Sequence, residues 1–80
     1  METTESLKLL NEIFRRILKK EEIILTEGTT AHDVDGWDSL TNMTLLSEVE
    51  KVFKIRFTFR EMVKLKNVGD LCRAIADKTK

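Results

Sequence analysis

Eighty residues, with apolar side chains at 41%, charged ones at 35%, no proline and no low-complexity run, describe one small helical domain and not a disordered tail. A chain this short buries only about 60% of the surface its unfolded form exposes, which excludes a deep enclosed cleft beside a full core and leaves large substrates to be met at the surface. Fourteen basic and fourteen acidic residues cancel, removing the overall field that draws a strongly basic domain to nucleic acid or to an anionic membrane.

From Glu5 to Lys20 the apolar residues Leu7, Leu10, Ile13, Phe14, Ile17 and Leu18 recur at three- and four-residue steps, opposite Lys8, Asn11, Glu12, Arg15, Arg16 and Lys19. That spacing predicts a first amphipathic helix, with Thr3 or Thr4 as its cap. Between Glu21 and Trp37 the periodicity is lost and Gly28, Thr29, Thr30, Asp33, Asp35 and Gly36 mark a long loop, with Ile23, Ile24 and Leu25 expected to close over the core end. A structureless stretch of this length is unusual in a compact domain. A second helix is expected from Ser39 to about Phe53, burying Leu45, Leu46, Val49, Val52 and Phe53 and wetting Asn42, Ser47, Glu50 and Lys51. Leu40 and Met43 fall near its exposed start. Ile55 and Phe57 alternate with Arg56 in a connector. Thr58-Phe59-Arg60-Glu61 then reads as a capping box opening a short third helix, Phe59 to Leu65. Asn67, with Asp70 in the first turn, opens a fourth, whose stripe is Val68, Leu71, Ala74 and Ile75. The expected fold class is therefore all-α.

The chemistry concentrates at Asp38-Ser39-Leu40. Asp38 is a good N-cap, able to accept from the backbone N–H groups two or three residues on, and Ser39 then takes the first helical position. There a side chain faces solvent, and the unpaired N–H groups with the positive end of the helix dipole favour an anion, so a phosphodiester on the serine oxygen would be well placed. A hydrolytic serine needs a base and a group that orients the base. The single histidine, His32, lies upstream in the loop, and nothing in the sequence pairs it with Ser39. Ser39 thus reads as a substrate for modification and not as a nucleophile; the plainer reading is a polar helix-start residue with no further role.

Gly36-Trp37-Asp38-Ser39-Leu40, followed by a helix ending Val52-Phe53-Lys54-Ile55-Arg56-Phe57, resembles the acyl and peptidyl carrier proteins, and Val68-Gly69-Asp70-Leu71 matches the opening of their last helix. The resemblance runs from about Ser6 to Ile75. It implies a small four-helix bundle of the acyl-carrier type, one carrier domain over residues 1–80, with a long loop between the first two helices, sometimes holding a short helical turn, and a short third helix. It also implies that a phosphopantetheinyl transferase moves 4′-phosphopantetheine from coenzyme A onto Ser39. The terminal thiol of that arm holds acyl or aminoacyl groups as thioesters, and partner enzymes supply the chemistry: an acyl- or aminoacyl-loading ligase and downstream synthases or transferases. The protein itself would not be an enzyme.

By the same resemblance Asp38 would add recognition by the transferase to its capping role. Leu40 would be an apolar contact for partners, against a plain reading as peripheral core. Met43 would line the path of the arm, against a plain reading as core filler. Trp37, the sole tryptophan, is either a partner contact or a loop anchor packed on the domain, and the anchor is favoured. His32 reads as an exposed loop histidine and Cys72 as a small semi-buried residue, and together they make no metal-ligand set. One cysteine excludes an internal disulfide. With no signal-peptide pattern and no apolar run of membrane-spanning length, a monomer in the reducing cytoplasm is expected, without membrane insertion or nucleic-acid binding.

One departure narrows the expectation. Carriers of fatty-acid synthesis show a strongly acidic second helix, whereas this one offers only Glu48 and Glu50, with Asn42, Thr44 and Ser47 ahead of them and Lys51 beyond. A carrier of a specialised pathway fits better: specialised fatty acid, polyketide, nonribosomal peptide or D-alanyl transfer, with partner contacts more apolar and less salt-sensitive. The alternative is an unmodified helical interaction module using Leu40, Met43 and Trp37. A helix-turn-helix nucleic-acid binder built on Arg60, Lys64, Lys66, Arg73 and Lys78 is disfavoured by the zero net charge and by the absence of a helix rich in base-reading side chains.

Overall fold

Four helices account for the regular structure among the residues described, 3–79, in a computed structural model of the chain: α1 (Thr3–Leu18), α2 (Ser39–Phe53), α3 (Phe59–Lys64) and α4 (Val68–Lys78). No strand forms among them, and a single antiparallel bridge joins Thr30 to Asn67. Helix α1 packs against both α2 and α4. The core is Leu10, Ile13 and Phe14 of α1, Leu45, Leu46, Val49 and Phe53 of α2, and Val68, Leu71, Cys72 and Ile75 of α4, closed by Ile23, Leu25 and Val34 of the loop and by Ile55 and Phe57 of the connector. The fold is the all-α bundle expected, with its long loop and short third helix.

Both α1 and α2 end in the same way without glycine. Lys19 (φ 56°) and Lys54 (φ 58°) take left-handed conformations, while Lys20 N–H donates to Arg15 O at 3.1 Å and Ile55 N–H to Glu50 O at 3.1 Å. Each is a Schellman closure that satisfies an orphan carbonyl. Helix α3 is opened by the reciprocal box read from its sequence, Thr58 accepting from Glu61 N–H and Glu61 from Thr58 N–H. Asn67 caps α4 by accepting from Asp70 N–H at 2.8 Å.

The long loop is tied down at several points. Arg15 Nε donates to Ile23 O at 2.7 Å and Leu25 N–H donates to Asn11 Oδ1 at 2.7 Å, binding its start to α1. Its middle is bound to α4 by Val68 N–H donating to Thr29 O at 2.9 Å and Gly69 N–H to Glu27 O at 2.7 Å. Tethers of this kind let a stretch without secondary structure keep one conformation.

Several expectations are corrected. Thr3 and Thr4 lie inside α1 (Thr3–Leu18), so neither caps it, and its buried stripe starts at Ser6. Ile24 is 76% exposed while Ile23 and Leu25 are buried, so only two of the three apolar residues close over the core end. Val52 is exposed, since Val49 and Phe53 take the inward face of α2. Helix α3 stops at Lys64, with Leu65 as its C-cap. Cys72 is fully buried, beyond the semi-burial expected.

Candidate functional site

The loop enters α2 through a turn that only glycine takes without strain: Gly36 has φ +92°. Trp37 follows, half-buried, its ring edge-on to Phe14 with centroids 4.8 Å apart. Its indole Nε1–H donates to Asn42 Oδ1 at 2.9 Å. The tryptophan is thus fastened to α1 by packing and to the first turns of α2 by a hydrogen bond, as an anchor should be.

Asp38 is in extended conformation and caps α2. Its Oδ1 accepts from Leu40 N–H at 2.9 Å and from Thr41 N–H at 3.0 Å. These donors, Thr41 N–H foremost, hold its carboxyl below the usual carboxylate range. Thr41 completes the box, its Oγ1 accepting from Asp38 N–H at 2.8 Å and donating to Gly36 O at 2.7 Å. Sequence reasoning missed both Thr41 and the Asn42 partner of Trp37. The spacing Asp-x-x-Thr was the available signal for the first, while the second exists only once Trp37 folds back over α2.

Ser39 is the first residue of α2 and is exposed. None of the hydrogen bonds among the described residues engages its hydroxyl, whereas its neighbours on both sides are fixed by the cap. Ser39 lines a shallow groove of about 390 Å³ together with Ala31, His32, Trp37, Asp38, Asn42, Leu65 and Lys66. His32 therefore shares a groove with Ser39 but makes no hydrogen bond to it. The adjacent Asp33 accepts from Thr30 N–H and Oγ1, so no nucleophile-base-orienter chain is assembled. Lys20 and Asp35 pair at 2.8 Å on the loop flank, each raising or lowering the other's pKa toward the charged state. Next along α2, Leu40 is 82% exposed and Met43 58%; neither is core. Cys72 is remote from this site and buried, and burial pushes its thiol pKa up. No helix among the described residues is long and apolar enough to cross a membrane.

An accessible hydroxyl on a rigidly capped helix start, beside a groove and without a base, suits covalent loading by another enzyme. Comparison with known proteins points the same way. A family model for the phosphopantetheine attachment site matches residues 8–75. The solution NMR structure of a holo acyl carrier protein from Geobacter metallireducens is 44% identical, over 91% of this chain and 84% of that one, with a TM-score of 0.85. No curated protein matches. The chain belongs to the acyl carrier protein family, non-catalytic helical carriers whose domain is a 4′-phosphopantetheine attachment site.

Proposed function

We propose that Ser39 is the residue that takes the arm and that this protein carries acyl or aminoacyl groups on it as thioesters, as one carrier domain over residues 1–80. The observation that supports this most is the state of Ser39: exposed, its hydroxyl without a hydrogen-bond partner among the described residues, and its backbone flanked by the Asp38–Thr41 box. A phosphopantetheinyl transferase would join Ser39 Oγ to the phosphorus that bears the pantetheine of coenzyme A, with the nucleotide portion leaving and the serine proton passing to the transferase. The positive end of α2 favours the resulting phosphodiester, and Lys66 lines the same groove. Asp38 fixes the serine's position for the transferase. Leu40 and Met43 give partners an apolar foothold within one turn of the arm, and Trp37 sets the loop against which they close.

The partners in this reading are the transferase, an acyl- or aminoacyl-loading ligase, and downstream synthases or transferases, all meeting a monomer in the cytoplasm. A tethered thioester reaches each of them at high effective concentration. A specialised fatty acid, polyketide, nonribosomal peptide or D-alanyl pathway is favoured because both α2 carboxylates are engaged within the molecule: Glu48 pairs with Arg16 at 2.9 Å and Glu50 accepts from Phe57 N–H at 2.8 Å. The test is the intact mass of wild type and Ser39→Ala before and after incubation with coenzyme A and a promiscuous transferase. Wild type gains one phosphopantetheine and the variant none; no gain in either puts the unmodified interaction module first.

A further inference from the structure

The zero net charge hides a segregation of sign. Residues 21–38 hold six carboxylates and no lysine or arginine. Residues 51–66 hold six cations, Lys51, Lys54, Arg56, Arg60, Lys64 and Lys66, against one carboxylate, Glu61. All six cations belong to exposed residues, and none is in an ion pair among the described residues, whose pairs are Arg16–Glu48, Lys20–Asp35, Arg73–Asp70 and Lys78–Glu61. The lone carboxylate is therefore already neutralised by Lys78, at 2.7 Å.

The cationic region is continuous with the face that starts at Ser39. On α2 the exposed residues Leu40, Met43, Thr44, Ser47 and Lys51 recur at steps of three and four, so they form one stripe. At 1.5 Å per residue it runs about 16 Å from Leu40 to Lys51. Its far end meets an open cleft of about 550 Å³, lined by Ser47, Glu50, Lys51, Lys54, Ile55 and Arg56. Three cations face that cleft against one carboxylate, and Glu50 is bonded there to Phe57 N–H.

We propose that this stripe is a bipartite docking surface, apolar beside Ser39 and cationic at Lys51, Lys54 and Arg56, and that it fits an acidic patch on the enzymes that act on the arm. That the partner is such an enzyme rests on the carrier reading; the sign of the surface does not. Charge complementarity selects the occupant: a basic partner would meet three cations that no described carboxylate pairs, and like charges brought together disfavour association. An acidic patch would pair with them and set the partner's register along α2, with Leu40 and Met43 packed near the serine. Docking on this surface is then salt-sensitive at its cationic end.

The test uses two amphipathic twelve-residue helical peptides with the same leucine face, one with glutamate and one with lysine on its polar face, titrated into the whole protein and followed by backbone amide shifts. The glutamate peptide binds at least tenfold more tightly at low salt, its shifts centre on Ser47 to Arg56, and the preference reverses in Lys51→Glu/Lys54→Glu/Arg56→Glu. Circular dichroism establishes that this variant is folded. Equal binding of the two peptides, shifts elsewhere, or tighter association with phosphatidylglycerol vesicles or a single-stranded oligonucleotide than with the glutamate peptide overturns the proposal. The titration is repeated on Ser39→Ala, so the docking surface and the attachment at Ser39 can fail separately.

Discussion

Replacing Gly69 with alanine tests the joint that holds the loop against α4. A Cβ at this position would stand 2.9 Å from Glu27 O, 3.2 Å from Asn67 Oδ1 and 3.4 Å from Glu27 Cβ. The tightest of these contacts is with a backbone oxygen, so no rotamer change relieves it and the chain around Glu27 has to move. That movement lengthens the 2.7 Å bond from Gly69 N–H to Glu27 O and the 2.9 Å bond from Val68 N–H to Thr29 O. Each contributes about 1 kcal/mol net, and the crowding itself costs about 1–3 kcal/mol. Alanine in a helix returns about 1 kcal/mol relative to glycine. The balance is a loss of about 2–4 kcal/mol, which lowers the midpoint of a domain this small by at least about 8 °C. Thermal and urea unfolding followed by circular dichroism measure it. Gly28→Ala is the control, since nothing lies within 4 Å of its added Cβ, and it should stay within about 0.5 kcal/mol of wild type. A Gly69→Ala protein as stable as wild type would refute the view that this contact pins the loop.

Ser6 carries the opposite expectation. Its hydroxyl is fully buried in α1 and has no hydrogen-bond partner among the described residues. Ser6→Ala removes an unsatisfied polar group and improves helix propensity, so it should stabilise by about 1 kcal/mol; a destabilised variant in the same urea titration contradicts this. Acid should unfold the protein through four carboxyls whose folded pKa values lie below their ordinary ones: Asp35 through Lys20, Asp38 through the Thr41 and Leu40 N–H groups, Glu61 through Lys78, and Asp70 through Lys66 N–H and Arg73. A depressed folded pKa gives stability that is complete above the unfolded value and lost as pH falls through the folded one. Urea midpoints read by Trp37 fluorescence should therefore be flat from pH 7 to 5 and fall below about pH 4. A steep decline between pH 7 and 5 would assign the acid sensitivity to other groups.

Helix α2 was legible because two independent signals coincide, a cap at Asp38 and an apolar spacing from Leu45 to Phe53. The Thr58–Glu61 box marked α3 in the same way. What sequence could not show is set by contacts between distant segments or by backbone states without a residue signature. Lys19 and Lys54 adopt left-handed closures with no glycine to announce them. Ile24 sits in an apolar trio and still faces water, because burial in a stretch without secondary structure follows no periodic pattern that composition reveals. The ties from Asn11 and Arg15 to the loop join polar residues that read as the wet face of α1. At the site, Asp38 and Ser39 could be read from capping chemistry alone. The groove beside them could not, since Leu65 and Lys66 reach it only after α3 has turned the chain back. The stripe of unpaired cations was hidden for a related reason: net charge sums over the chain, and pairing is decided by the fold.

The most direct test of the account is to locate the arm. Wild-type protein is incubated with coenzyme A and a promiscuous phosphopantetheinyl transferase, digested, and the peptide spanning Gly36 to Lys51 is fragmented by mass spectrometry. The account predicts one phosphopantetheine, on Ser39. The same group on Thr41, Thr44 or Ser47, or on a peptide elsewhere in the chain, would contradict it.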